Sequence, residues 1–125
     1  TFVQPIYSGT VPAYASGRVA LLGDAGTVAP PFTASGVFRA MMNAVDLAQA
    51  LEQGPSLDAA LSRWSAEQTD RGRRLHALGE QMEHAWVWEA PDLSTMAEAE
   101  TRAWWQRSVQ FPEEFSYVED DSERQ

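Results

Sequence analysis

The chain has 125 residues, nine basic and eighteen acidic side chains, a formal net charge of −9, and no cysteine. The acidic balance argues against nucleic acids and anionic membranes as partners, because binding to phosphate groups needs basic patches. The lack of cysteine excludes disulfides and thiolate metal sites and fits a reducing compartment, so we expect a cytoplasmic protein. No apolar run approaches the length of a membrane span. The length allows one domain at most.

The first part of the sequence predicts extended structure. Residues 1–17 alternate loosely between apolar and polar side chains around residues 2–7, which indicates an edge strand and an extended segment. Residues 19–22 form an apolar run between Gly17 and Gly23, which is typical of a strand buried on both faces. The prediction is a mainly helical chain with one or two short β-strands.

Two long helices follow. Residues 36–53 are predicted to form the first, with Ser35 as its cap, and broad apolar coverage indicates that it is well buried. Gly54 and Pro55 end it. Ser56 caps the second helix. Along this helix, residues at spacings of four and three lie on one face, which we call the α2 seam and which two polar residues interrupt. The seam consists of Leu57, Leu61, Trp64, Gln68, Arg71, Leu75, Leu78, Met82 and Trp86.

The second helix contains Gly72 and Gly79, which predict a bend or a break near either position. Pro91 is expected to end it. Thr95 and Glu98 have the spacing of a capping box and predict a last helix that ends near residue 109. Residues 113–125 are strongly acidic, and we expect them to form a mobile tail.

The turn at Gly23 and Asp24 has two interpretations. A carboxylate at the end of a strand can cap the turn that follows. The same carboxylate can bind a sugar-like hydroxyl of a ligand. A helix that opens at Gly36, a few residues later, would direct its unpaired N–H groups and its positive dipole end toward the same ligand.

The loop of residues 30–38 also has two interpretations. It can be a rigid connection that caps the helix. Alternatively, its prolines hold the loop open, and its small residues let the backbone approach a flat ring. In that case the N–H groups near Gly36, Val37 and Phe38 would face an electron-rich ring edge, and a positive helix end would stabilise negative charge there.

Residues 18–51 resemble the second flavin-binding signature of the FAD-dependent aromatic hydroxylases, which are single-component flavoprotein monooxygenases. The family pattern is an Arg-x-x-Leu-x-Gly-Asp-Ala strand and turn, a proline-containing loop, a Gly-x-Gly helix start and an Ala/Leu-rich helix. The matching residues are Arg18, Leu21, Gly23, Asp24, Ala25, Pro30, Pro31, Gly36, Ala44, Leu47, Ala48 and Leu51. A weaker similarity to the family's C-terminal helices continues to about residue 80.

The resemblance implies the C-terminal fragment of an α/β, Rossmann-like FAD-binding fold. It implies FAD as cofactor, NAD(P)H as co-substrate and a small aromatic substrate that is hydroxylated. Asp24 would then bond a hydroxyl of the ribityl chain. The loop and the helix start would face the isoalloxazine, through Pro31, Thr33, Ala34, Ser35, Gly36, Val37 and Phe38. Flavin-dependent halogenases and reductases have similar signatures, so the reaction type stays open.

The sequence contains only part of what such an enzyme needs. No Gly-x-Gly-x-x-Gly follows a strand, so a site for the ADP half of FAD is not predicted. We therefore expect the remainder of the flavoprotein, with its ADP-binding and substrate domains, to be the partner of this chain, which alone should be inactive. The predicted division is residues 1–17 joining from the substrate domain, 18–54 as the flavin motif, 55–112 as C-terminal helices and 113–125 as the tail.

Four positions differ from the family pattern, at Thr27, Thr33, Phe38 and Asn43. Thr33 is taken to replace the first glycine of the helix start, and Phe38 a frequent asparagine. These two changes favour an alternative function, a non-catalytic helical interaction module or one part of a split flavoprotein. Thr27 is interpreted as a surface-loop threonine. The ligand-like spacing of His76, Glu80, Glu83 and His84 is attributed to ion pairs on a solvated face, and no metal site is predicted.

Overall fold

The computed structural model describes residues 2–109. The chain divides after Pro91 into two compact units, one ending at Pro91 and one beginning at Asp92. Over residues 2–109, the larger unit contributes four short strands and two long helices, and the smaller unit contributes one α-helix. The predicted acidic tail lies outside the described residues. Within residues 2–109, no helix combines the length and apolarity needed to cross a bilayer.

The strands form two small antiparallel pairs. β1 (Gly9–Thr10) pairs with β4 (Thr27–Val28), and β2 (Ala15–Ser16) pairs with β3 (Val19–Ala20). The prediction of one or two strands was therefore too low, and the expected strand at residues 2–7 is absent. The four strands are only two residues long each, so most of the regular structure is helical, as predicted.

The strand that follows Arg18 is not buried on both faces, and this prediction was wrong. Val19 is 66% exposed and Leu22 is 38% exposed. Burial on both faces needs a wider sheet with layers above and below it. The described residues supply only a two-stranded hairpin at this point, so the apolar side chains of the run stay in contact with solvent.

The first helix, α1 (Gly36–Gln53), has the predicted bounds but not the predicted burial. Its buried residues are Arg39, Asn43 and Ala50, while Val37 and Met41 are mostly exposed. The face that packs on the second helix and on the Gly23 turn is therefore largely polar. Apolar side chains occur around most of the circumference, and the structure buries the polar side because those polar groups have partners on neighbouring elements.

The second helix, α2 (Leu57–Glu83), begins where predicted, because the Ser56 hydroxyl accepts a hydrogen bond from the Ala59 N–H at 3.3 Å. It continues into a π-helical turn, His84–Trp88. Most of the predicted seam is buried, although Leu57 is exposed. Trp64 packs edge-to-face on Tyr14, with ring centroids 6.0 Å apart, at the centre of the core.

The two glycines of α2 do not break the helix. Gly72 instead permits a close contact between α2 and the N-terminal strands. A Cβ added at Gly72 would lie 2.4 Å from the Thr27 Oγ1 and 2.9 Å from the Tyr14 hydroxyl. The glycine is therefore explained by the space that these two side chains occupy, and not by flexibility of the helix.

The smaller unit contains α3 (Glu98–Ser108). Its capping differs from the prediction, because the Glu100 carboxylate accepts from the Ala97 N–H at 2.9 Å and the Thr95 hydroxyl donates to the Asp92 carbonyl. The capping interaction therefore lies two residues later than predicted. In the preceding turn, hydrogen bonds from the side chain and backbone N–H of Ser94 lower the pKa of the Asp92 carboxyl.

Candidate functional site

A cavity of about 150 Å³ lies at the N-terminus of α1. Six of the eight predicted site residues line it, namely Asp24, Pro31, Thr33, Ala34, Ser35 and Gly36, together with Val28, Ala29, Pro30 and Arg39. The other two predicted residues, Val37 and Phe38, lie on the first turn of α1 and do not line this cavity. The fold thus brings the strand-end carboxylate and the helix start to one place, although they are twelve residues apart in sequence.

Asp24 lies at the rim of the cavity. It belongs to a short 3₁₀ turn, Gly23–Ala25, in which Gly23 has φ +58°, a conformation that favours glycine. The Gly23 N–H donates to the Asn43 Oδ1 at 3.0 Å, which fixes the turn against α1. The Asp24 side chain is 80% exposed. Its carboxylate can therefore accept a hydrogen bond from a ligand without first losing a buried partner.

The loop before α1 is held by its own side chains. The Ser35 hydroxyl donates to the Thr33 carbonyl at 2.8 Å, and the Thr33 Oγ1 accepts from the Ser35 N–H at 3.4 Å. Ser35 occupies the N-cap position, but its side chain does not cap α1. Both hydroxyls are buried and engaged within the loop. These two hydroxyls therefore fix the backbone conformation of the loop that lines the cavity.

The left-handed residue of this loop is Ala34, with φ 52° and ψ 14°. Thr33 lies in the 3₁₀ turn Pro31–Thr33 instead. In a Gly-x-Gly pattern that ends at Gly36, the first glycine falls at residue 34. The assignment of Thr33 to that glycine was therefore wrong, because the positive φ that glycine relieves occurs at Ala34.

The helix start is open to solvent. Gly36 is exposed, and a Cβ added there would meet nothing within 4 Å. The first N–H groups of an α-helix have no partner within the helix, and the helix dipole places partial positive charge at this end. The loop is anchored by Phe32, whose ring packs edge-to-face on Trp86 with centroids 5.8 Å apart. The start of α1 is therefore accessible at Gly36, next to a loop that packs on Trp86.

Arg39 is a residue of this cavity that sequence reasoning missed. Only 5% of it is exposed. Its Nη1 donates to the Tyr14 hydroxyl at 2.7 Å, its Nη2 donates to the Thr27 carbonyl, and its Nη2 lies 3.7 Å from the Asp24 Oδ1. Its Nε is a buried donor without a hydrogen-bond partner among residues 2–109. The available signal was that Arg39 is the only basic residue in α1.

A buried polar network connects the cavity to α2. Asn43 is its centre, because its Oδ1 accepts from the Gly23 N–H and its Nδ2 donates to the Gln68 Oε1 at 2.7 Å. The Gln68 Nε2 in turn donates to Asp46 at 2.9 Å, and Arg71 pairs with the same carboxylate. Gln68 and Arg71 are the two polar interruptions of the predicted seam. Their side chains interrupt it because α1 presents polar partners to them.

Two of the four departures from the family pattern, Thr27 and Asn43, are connected through this network, because Arg39 donates to both Tyr14 and Asn43 and Tyr14 donates to Thr27. Thr27 is 1% exposed and accepts a hydrogen bond from the Tyr14 hydroxyl at 2.8 Å, so its interpretation as a surface-loop threonine was wrong. Asn43, the second departure, is 1% exposed. An amide at position 43 supplies both the acceptor for Gly23 and the donor for Gln68, which an ionised carboxylate could not do.

The other clusters of polar residues lie apart from this cavity. His76 pairs with Glu80 at 3.3 Å and His84 with Glu89 at 3.5 Å. Among the described residues, no three side chains of the types that bind metals group together. A wider groove of about 660 Å³ runs between α2 and the hairpin of β2 and β3, and it contains none of the predicted site residues.

The geometry of the cavity defines what it can bind. An exposed carboxylate, the first residue of α1 and a buried guanidinium all line this cavity, and the first N–H groups of a helix are available as donors. This arrangement suits a ligand with a hydroxyl group and an electron-rich acceptor. The volume is below the ~300–1,000 Å³ of most ligand pockets, so only part of a large ligand fits within residues 2–109.

No protein-family profile matches the chain. The chain is 39% identical over 59 residues to AqdB1 of Rhodococcus erythropolis, whose name assigns it provisionally as a 2-heptyl-3-hydroxy-4(1H)-quinolone synthase. It is 41% identical over 51 residues to the 2-heptyl-3-hydroxy-4(1H)-quinolone synthase of Mycobacteroides abscessus. The matches cover 47% and 41% of this chain, but only 16% and 14% of the two relatives. The chain is thus similar, over less than half its length, to a small part of two proteins that are named as enzymes.

Proposed function

We propose that the chain is part of an FAD-dependent monooxygenase and supplies the ribityl- and isoalloxazine-facing half of its flavin site. The observation that carries this proposal is the cavity that joins Asp24 to the open N-terminus of α1. When bound, FAD reduced by NAD(P)H would supply the oxygen-activating chemistry that hydroxylates a small aromatic substrate. The residues of this chain bind, orient and electrostatically tune the cofactor.

The residues present fit such a cofactor. Asp24 offers an exposed acceptor for a ribityl hydroxyl, and a hydrogen bond to a charged acceptor contributes about 1.5–3 kcal/mol. The N–H groups at the start of α1, where Gly36 lines the cavity, would donate to the electron-rich edge of the ring system. The buried Arg39, which lines the same cavity, has an Nε donor that finds no acceptor within the described residues, and it adds positive charge there. Reduced flavin is anionic, so both features would favour it.

The relatives support the reaction class. The product in both names carries a hydroxyl group on an aromatic ring, which is the kind of product that an aromatic hydroxylase forms. The similarity extends over less than half of this chain. The small aromatic substrate, the NAD(P)H dependence and the hydroxylation are therefore proposed for this chain from the resemblance and the site together.

The test compares Asp24→Ala with Glu52→Ala in the protein expressed from its complete reading frame. Asp24 lines the cavity, whereas Glu52 is an exposed acid at the other end of α1. Both variants are expected to fold. Asp24→Ala should lose FAD on dialysis, and Glu52→Ala should keep it, as measured by flavin absorbance per protein. Full retention of FAD by Asp24→Ala would refute the assignment of Asp24.

The alternative function is a non-catalytic helical module, or one part of a split flavoprotein, that keeps the loop as a scaffold. The inward hydrogen bonds of Thr33 and Ser35 favour it, because these side chains already stabilise the loop without a ligand. Two measurements, FAD content and NAD(P)H oxidation, distinguish the two functions. A wild-type protein that is well folded, contains no FAD after purification with added FAD, and oxidises no NAD(P)H would favour the scaffold.

A further inference from the structure

The outer face of α1 carries an apolar stripe that the described residues leave in contact with solvent. Five side chains form it at alternating spacings of four and three, and we call it the α1 seam: Val37, Met41, Ala44, Ala48 and Leu51. Val37 is 78% exposed, Met41 64% and Leu51 47%. At 100° per residue these positions lie within one narrow sector of the helix. Charged residues are absent from the seam.

The seam lies opposite the buried face of the same helix. That buried face carries Arg39 and Asn43, which hydrogen-bond to the strands and to α2. The inner face of α1 therefore carries the polar side chains Arg39 and Asn43 beside Ala50, whereas the seam on its outer face is entirely apolar. Contiguous exposed apolar surface of this kind marks an interaction site, because leaving it in water is unfavourable.

We propose that the α1 seam is the surface on which the nucleotide-binding part of the flavoprotein packs, completing the cavity at the N-terminus of the same helix. This inference rests on the proposed function. Two observations point to this occupant. The cavity is too small for a large ligand within residues 2–109. The relatives matched by this chain extend far beyond the match, which covers 16% and 14% of their lengths.

The chemistry of the seam defines the surface that fits it. An apolar stripe without charges selects an apolar partner surface, because a charged surface would lose water without gaining ion pairs. The alanines at 44 and 48 lie between larger side chains and allow a close approach at the middle of the helix. A second copy of this chain is a poorer occupant, since two chains of net charge −9 repel each other.

Methionine oxidation by dilute peroxide tests the proposal, because the reactivity of the thioether follows its exposure. Met41 reports on the seam, and Met82, which is 1% exposed, reports on whether the chain is folded. In the isolated 125-residue chain, Met41 should oxidise rapidly and Met82 slowly. In the protein expressed from its complete reading frame, the oxidation rate of Met41 should fall by about tenfold, which reflects burial of its thioether.

Three outcomes would overturn the proposal. The first is a Met41 that stays equally reactive in the complete protein. The second is a reading frame that encodes no nucleotide-binding part. The third is protection of Met41 in the isolated chain that increases with protein concentration, which would assign the seam to a second copy.

A substitution provides an independent measurement. Met41→Lys places a charge on the seam, and Ala77→Lys places the same charge on an exposed position of α2. In the complete protein, Met41→Lys should reduce the FAD content severalfold, while Ala77→Lys should leave it unchanged. Equal behaviour of the two variants would refute the assignment of the seam.

The FAD content of the wild-type sample separates this proposal from the proposed function. A protected Met41 in a complete protein that cannot bind FAD would contradict the flavin site and keep the seam as the docking surface for the rest of that chain. An exposed Met41 in a complete protein that holds FAD would overturn the docking surface alone.

Discussion

The guanidinium group of Arg39 lies 3.7 Å from the carboxylate of Asp24, although the Arg39 side chain is 6% exposed and the Asp24 side chain is 80% exposed. The attraction is weakened by water around the carboxylate and contributes little to stability. Arg39 is held instead by the hydrogen bonds that it donates to Tyr14 and Thr27. The pair thus places a fixed positive charge behind an acceptor that a ligand can reach.

Replacing Arg39 should destabilise the fold. In Arg39→Leu, the Thr27 carbonyl loses its charged donor, and the Tyr14 hydroxyl loses one of its partners. A buried polar group without a partner costs about 1–3 kcal/mol, and we expect a loss in that range in the free energy of unfolding in urea. Arg63→Leu is the control, because Arg63 is exposed on α2 and should change stability by less than about 0.5 kcal/mol. Equal losses of unfolding free energy in the two variants would show that the hydrogen bonds of Arg39 do not stabilise the fold.

Ala34→Gly should stabilise the chain. The left-handed conformation of Ala34 costs a non-glycine residue about 1–2 kcal/mol. Glycine removes this cost, but part of the gain in stability is lost to the greater entropy of glycine in the unfolded chain. We expect a net gain of up to about 1 kcal/mol in thermal or urea unfolding. The same change at Ala77, inside α2, should destabilise by about 1 kcal/mol. A destabilised Ala34→Gly variant would contradict the left-handed backbone at residue 34.

Gly72→Ala should destabilise the chain even though alanine favours helices. The added Cβ would lie 2.4 Å from the Thr27 Oγ1. Overpacking costs about 1–3 kcal/mol, which exceeds the gain of about 1 kcal/mol in helix propensity. The Thr27→Ala background removes that oxygen, so the penalty of Gly72→Ala should be smaller there by more than about 0.5 kcal/mol. Additive effects of the two substitutions would contradict the contact.

Local signals in the sequence predicted the bounds of α1 correctly, because Pro55 cannot continue a helix and holds the preceding Gly54 in an extended conformation. They could not predict which face of α1 is buried. That choice depends on side chains far apart in sequence, such as Asn43 and Gln68, whose amides bond across the two helices. The same contact explains why Gln68 interrupts an otherwise apolar seam. Periodicity identifies apolar positions, but it does not show which polar side chains form hydrogen bonds across the interface between two helices.

The candidate site was predicted in part for a similar reason. Asp24 and the loop before Gly36 follow a continuous motif, so their proximity was expected, and one cavity contains both. Arg39 was missed because a single basic residue in an apolar helix gives no motif. Thr27 was misassigned because its burial depends on Tyr14 and on the absence of a side chain at Gly72.

The isolated chain should bind FAD weakly, and it should bind riboflavin about equally well. Riboflavin contains the ribityl and isoalloxazine groups that this cavity is proposed to contact, and it lacks the adenine half for which no site is predicted. We expect the two dissociation constants to agree within about threefold, a difference below about 1 kcal/mol, in titrations followed by flavin fluorescence. Asp24→Ala should weaken both ligands alike, and Glu52→Ala should weaken neither. Submicromolar binding of FAD, or a strong preference for FAD over riboflavin, would show that residues of this chain also recognise the nucleotide half, and the division of the flavin site between two parts would then be wrong.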